Sequence, residues 1–154
     1  MNAAIEVGIN FFGTADVYGD GASEEYLGEA LGSRREEVIT ATKFGAQLGN
    51  DPSRGRASPR WIERAVEYSL KRLGINRIAL YQLHTSDENT PIADTLEALD
   101  HLVSSGKVRQ IGCSNYSEPQ IEDALSTSRK RDLAQFASVQ NGFPCKHLAE
   151  GGRY

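Results

Sequence analysis

Ser58-Pro59-Arg60-Trp61-Ile62-Glu63-Arg64-Ala65-Val66-Glu67-Tyr68-Ser69-Leu70-Lys71-Arg72-Leu73-Gly74 and, after three intervening residues, Ile78-Ala79-Leu80-Tyr81-Gln82-Leu83 carry two different periodicities. In the first stretch Ile62, Ala65, Val66, Ser69, Leu70 and Leu73 fall at i, i+3, i+4, i+7, i+8 and i+11, one face of a helix. Ser58 is an N-cap residue, Pro59 suits the first helical position, and Gly74 stops the run. The second stretch shows little in/out alternation, as expected for a strand buried on both faces of a parallel sheet. Helix followed by fully buried strand is half of a βα repeat.

The same alternation continues in both directions. Strands are expected from Phe11, Val38, Ile78, Val108 and Phe136, at intervals of 27, 40, 30 and 28 residues. Those intervals suit βα units of ~30 residues or more and not hairpins. Thr90-Pro91 opens another helix with Ile92, Leu96, Leu99, Leu102 and Val103 on its stripe and Gly106 at its end. Ser117-Glu118-Pro119-Gln120 has capping-box spacing before Ile121, Ala124 and Leu125. Ser23 precedes Glu24 and Glu25, acids well placed at a helix N-terminus, and Gly32 follows Leu31. Ala3 to Gly8 reads as the end of a helix whose preceding strand is missing. Arg129-Lys130-Arg131 reads as a solvated loop before the last strand. A doubly wound sheet and a (β/α)8 barrel both fit this order. At ~31 residues per unit, a barrel would be incomplete here, with about five units of eight.

Length and composition set outer limits. The chain has 154 residues, about one domain. Its 39% hydrophobic and 25% charged residues are ordinary for a globular chain. Longest apolar runs fall far short of the ~18 residues of a membrane span, and Met1-Asn2-Ala3-Ala4 opens no secretory signal. With 17 basic and 21 acidic residues the net charge is −4, which argues against broad nucleic-acid binding. Cys113 and Cys145 are too few for a disulfide scaffold, and Cys145-Lys146-His147 has no second ligand pair, so no metal is expected. A cytoplasmic protein is the expectation.

Ligands of parallel α/β proteins bind beyond the carboxyl ends of the strands. Those ends read Asp16 and Tyr18, then Lys43, then Gln82 and His84, then Ser114 and Asn115, then Gln140 and Asn141. One polar ending is an ordinary turn, whereas five in succession suggest a shared pocket. Tyrosine, lysine and histidine together suit proton delivery to a carbonyl oxygen. A free phenol, with a pKa of about 10, is too weak an acid near neutrality, and a neighbouring cation favours its ionised form. Hydride would have to come from a bound donor. Ser114, Asn115 and Gln140 offer the donors and acceptors that a carboxamide requires. Gly19-Asp20-Gly21-Ala22-Ser23-Glu24 invites a dinucleotide-fingerprint reading, but Glu24 stands at the third glycine and would repel a pyrophosphate.

Phe12-Gly13-Thr14-Ala15-Asp16-Val17-Tyr18-Gly19, Ser23-Glu24-Glu25-Tyr26-Leu27-Gly28, Ala41-Thr42-Lys43-Phe44-Gly45, Ser69-Leu70-Lys71-Arg72-Leu73, Leu80-Tyr81-Gln82-Leu83-His84, Gly106-Lys107-Val108-Arg109-Gln110-Ile111-Gly112 and Ser114-Asn115 together resemble the aldo-keto reductase family. The match runs from about Ile5 to Pro144 with its motifs in family order. The resemblance implies a (β/α)8 TIM barrel, here lacking its first strand and last two units, in one partial domain over residues 1–154. It implies reduction of an aldehyde or ketone with NADPH, without a metal. Tyr18 is then the proton donor, Lys43 the cation that favours its phenolate and His84 the group that orients the carbonyl. Ser114, Asn115 and Gln140 match the positions that hold the nicotinamide carboxamide.

Two departures accompany the resemblance. The family's catalytic aspartate lies five residues before the tyrosine, and this chain has Gly13 there, with Asp16 matching only the second, non-catalytic acid. The aromatic that stacks on nicotinamide and the basic loop for the 2′-phosphate belong to the part of the family pattern beyond this match. The alternative is therefore an impaired or inactive fragment, or a binding subunit on the same scaffold. An open barrel would leave the strands beginning at Phe11 and Phe136 unpaired, which favours self-association.

Overall fold

The stripe beginning at Ile62 faces inward as its period requires, with Leu70 only half-buried. Ser58 is the N-cap of a helix that runs Pro59–Leu73 and closes on Gly74 in the left-handed conformation. Ile62, Ala65, Val66, Ser69 and Leu73 lie in the core, with Trp61 beside them. In the computed structural model, which describes residues 1–46 and 56–142, this is the third of five helices alternating with five strands. The order is α1 (Asn2–Glu6), β1 (Phe11–Gly13), α2 (Ala22–Leu31), a 3-10 turn (Gly32–Glu36), β2 (Ile39–Phe44), α3 (Pro59–Leu73), β3 (Ile78–Leu83), α4 (Ile92–Ser104), β4 (Val108–Ser114), α5 (Glu118–Arg131) and β5 (Phe136–Gln140).

Every neighbouring pair is parallel and the spatial order is β1-β2-β3-β4-β5, the order of the chain. A doubly wound sheet reverses direction at a switch point; this one does not. Right-handed crossovers that always step the same way put all the helices on one face. The result is a five-stranded segment of a (β/α)8 barrel, which settles the choice that the alternation left open.

Register divides the sheet into two faces. Lys43, Gln82, Gly112 and Ser138 are paired in one row across β2 to β5. Phe44, Leu83, Cys113 and Val139 form the next row and, by alternation, face the other way. Phe44 stacks on Tyr81 with ring centroids 4.4 Å apart, and both belong to the core shared with the helices. The Lys43 row therefore faces what would be the barrel lumen. Gly112 lets that row close up: a Cβ there would lie 2.5 Å from the Ser138 hydroxyl. Across it the Gln82 Nε2 reaches Ser138 Oγ at 3.4 Å.

Some local expectations needed correction. The second strand begins at Ile39 rather than Val38 and continues to Phe44, so Lys43 lies inside it. Pro91, rather than Thr90, is the N-cap of α4, because the Thr90 hydroxyl is held by Asp87 at 2.8 Å. Arg129, Lys130 and Arg131 form the last turn of α5 and not a loop. Cations there oppose the negative end of the helix dipole, and Arg131 pairs with Glu97 of α4. Cys145 and His147 lie outside the described residues. Cys113 is a buried free thiol, pushed up to about 11 by burial, and so unsuited to redox work.

Candidate active site

The polar strand ends converge at one end of the sheet. After β1 the chain keeps its pairing with β2: Thr14 donates its N–H to the Ala41 carbonyl and Asp16 to the Lys43 carbonyl, both at 2.9 Å. That brings the loop carrying Tyr18 over the end of β2. The Lys43 side chain is almost wholly buried, and its ammonium donates to the Thr14 carbonyl at 3.0 Å. The same nitrogen lies 5.3 Å from the centroid of the Tyr18 ring, within cation–π range. Tyr18 is 43% exposed.

His84 follows β3 and donates its backbone N–H to the Phe44 carbonyl at 2.8 Å. Its ring meets Tyr18 edge to face, with centroids 5.8 Å apart and planes at 83°. Burial, and secondarily the Lys43 charge, hold its imidazole below the usual histidine value of 6.5. His84 is therefore neutral at pH 7. Among the described residues its Nδ1 is buried without a hydrogen-bond partner. Below pH 6.5 the unfolded chain takes up a proton that folded His84 resists, so this residue's contribution to stability falls as the pH drops through that value. Histidine-selective NMR should show His84 titrating below 6.5, and Lys43→Met should move it upward.

Asn115 completes this side of the site. Its backbone is left-handed, with φ 56°, a conformation that asparagine tolerates better than most residues. The turn directs Nδ2 back to the His84 carbonyl at 2.9 Å and to Ser114 Oγ at 3.2 Å. Ser114 in turn donates to the Gln140 carbonyl at 2.6 Å. The expected residues are thus brought together in two groups, Tyr18–Lys43–His84 and Ser114–Asn115, joined through the His84 carbonyl. Gln140 is tied in by its backbone, and its side chain is exposed.

Two features of the site escaped the sequence reading. The Thr14 carbonyl that receives Lys43 has no side-chain signature. Glu24 is completely buried, with an ion pair to Arg72 at 2.9 Å and a hydrogen bond from Thr42 Oγ1 at 2.6 Å. Its position was legible, since Glu24, Leu27, Gly28 and Leu31 are the buried stripe of α2 and follow helical spacing. Gly13 has open space around it: an added Cβ would meet nothing within 4 Å.

A parallel barrel segment with tyrosine, buried lysine and neutral histidine at the carboxyl ends of its strands defines an enzyme-like site in a (β/α)8 scaffold. The profile of the aldo/keto reductase family matches residues 1–150. The aldo-keto reductase yakc [NADP(+)] of Schizosaccharomyces pombe is 41% identical over 132 residues, covering 82% of this chain and 38% of that protein. Aldo-keto reductase YhdN of Bacillus subtilis is 40% identical over 124 residues, covering 79% and 38%. Among solved structures, the aldo-keto reductase AKR11C1 from Bacillus halodurans (holo form) superposes with a TM-score of 0.80 at 33% identity, over 92% of this chain and 46% of that one. The chain belongs to the aldo-keto reductase family. It spans 38% of the length of each of these two curated relatives.

Proposed function

We propose that this chain carries the catalytic half of a carbonyl-reducing site, in which Tyr18 protonates the oxygen of an aldehyde or ketone as it becomes an alcohol. The observation that supports it most is the packing of Tyr18 between the Lys43 ammonium and the His84 ring. A carbonyl oxygen at the Tyr18 hydroxyl could receive a hydrogen bond from neutral His84 while Tyr18 delivers the proton. Lys43, held by Thr14, stabilises the phenolate that remains. NADPH, when bound, would supply the hydride.

The donor set suits a nicotinamide carboxamide. Asn115 Nδ2 is committed to His84 and Ser114, which leaves its Oδ1 to accept from an amide, and the exposed Gln140 side chain stands at the end of β5. Titrating NADPH fluorescence tests this in a barrel completed with the strands this chain does not carry. Asn115→Ala should weaken NADPH binding by about tenfold, the factor for one lost polar contact of ~1.4 kcal/mol. Unchanged binding would contradict the assignment of Asn115.

Gly13 favours a second reading, an impaired enzyme or a binding subunit on the same scaffold, because it gives Lys43 no carboxylate from that position. No helix among the described residues is long and apolar enough to cross a membrane. The composition and the net charge of −4 support a cytoplasmic location without nucleic-acid binding. Among the described residues the sheet ends at β1 and β5, which carry exposed Phe11 and Val139, and these edges support self-association of the chain by itself.

A further inference from the structure

We propose that Ser23 and Glu24, in the first turn of α2, are positioning residues that together set where Lys43 stands relative to Tyr18. Neither reaches the lumen, yet between them they touch the surroundings of both groups. The Ser23 N–H donates to the Tyr18 carbonyl at 3.2 Å, fixing the backbone of the proton donor. The Ser23 and Thr14 hydroxyls share a hydrogen bond of 2.8 Å, and Thr14 supplies the carbonyl on which the Lys43 ammonium rests. Glu24 Oε1 takes the hydroxyl of Thr42, the residue before Lys43. Strand alternation makes that last contact a lever. Thr42 faces the helices and Lys43 the lumen, so pinning one side chain from behind fixes the height and tilt of the other.

The turn is itself held from the far side. Glu24 Oε2 pairs with Arg72 of α3 at 2.9 Å. A fully buried carboxylate is tolerated because both oxygens are engaged. The N-cap of α2 is Gly21, with φ 96°, and a Cβ there would come within 2.5 Å of the Arg72 guanidinium. Arg72 thus passes over a residue without a side chain to reach Glu24. The Lys43 ammonium rests on the Thr14 carbonyl and rises from β2, and this turn touches both.

This rests on reading Tyr18 and Lys43 as the catalytic pair, but its test requires no turnover. Reductive methylation of the 154-residue chain in native buffer, followed by mass spectrometry, reports how freely each lysine amine is reached. Lys71 and Lys107 serve as internal references. Ser23→Ala and Thr42→Val each remove one arm of the clamp and leave the Glu24–Arg72 pair intact, so neither depends on tolerating a broken buried ion pair. Both should raise Lys43 methylation by about tenfold, as expected for losing one hydrogen bond to the anchoring network, with Lys71 and Lys107 unchanged. A Leu102→Ala variant, altered in the core of α4, controls for general loosening and should leave native-state methylation of Lys43 as it was. The proposal is overturned if Ser23→Ala and Thr42→Val leave Lys43 as protected as before. It is equally overturned if all three lysines, or the Leu102→Ala chain, respond alike. Failure of NADPH turnover with the methylation pattern intact would instead count against the catalytic reading alone.

Discussion

Gly13→Asp is expected to raise kcat by about 10²–10⁴ in a barrel completed with the missing strands, the range that positioned general acid catalysis contributes. Gly13 pairs with Ala41 in the register of β1 and β2, and Lys43 is the next residue of β2 on that face. The ammonium already rests on the carbonyl of Thr14, the residue after Gly13. A carboxylate projected from position 13 would therefore arrive beside it. Nothing stands in the way, since an added Cβ meets open space. The pairing would hold the Lys43 ammonium aimed at Tyr18. Asp16 is the competing source of that charge. It is buried near Tyr81, whose phenol is pushed up chiefly by burial and then by the Asp16 charge. Measuring kcat for both forms decides between them. Equal rates, followed by inactivation of the glycine form on Asp16→Asn, would show that Asp16 has taken over the role.

Tyr18→Phe should lower kcat by a comparable factor, about 10²–10⁴, while NADPH affinity is retained. The change removes one hydroxyl and leaves the Lys43–ring and His84–ring contacts available. It touches neither Ser114 nor Asn115, whose bonds run to Gln140 and His84. Rate and affinity should therefore separate, with Tyr18→Phe acting on kcat and Asn115→Ala acting on binding. Near-normal turnover in Tyr18→Phe would move proton delivery elsewhere, with His84 the next candidate.

The parts of this structure written in side-chain periodicity were legible in the sequence. The stripe from Ile62 to Leu73, the stop at Gly74, and the capping box in which Gln120 accepts the Ser117 N–H at 2.9 Å all appear where the spacing placed them. Strand order was different, because the same alternation serves two architectures and only the hydrogen-bonded register distinguishes them. The gathering of the polar strand ends was likewise legible, whereas their fastening was not. Lys43 is received by a backbone carbonyl, Asn115 depends on a left-handed turn, and Glu24 finds Arg72 across 48 residues of chain. Those contacts depend on tertiary placement. Glu24 illustrates the limit: its place in the first turn of a helix was legible, whereas its burial and its pairing with Arg72 were not.

The most direct test of the account is NADPH oxidation with an aromatic aldehyde, followed by absorbance in the completed barrel. Measured rates with and without Tyr18→Phe should show slow turnover in the glycine form, faster turnover after Gly13→Asp, and loss of both when Tyr18 is replaced. An inert Gly13→Asp barrel that still binds NADPH, or one whose rate survives Tyr18→Phe, would contradict the assignment of this site to carbonyl reduction through Tyr18.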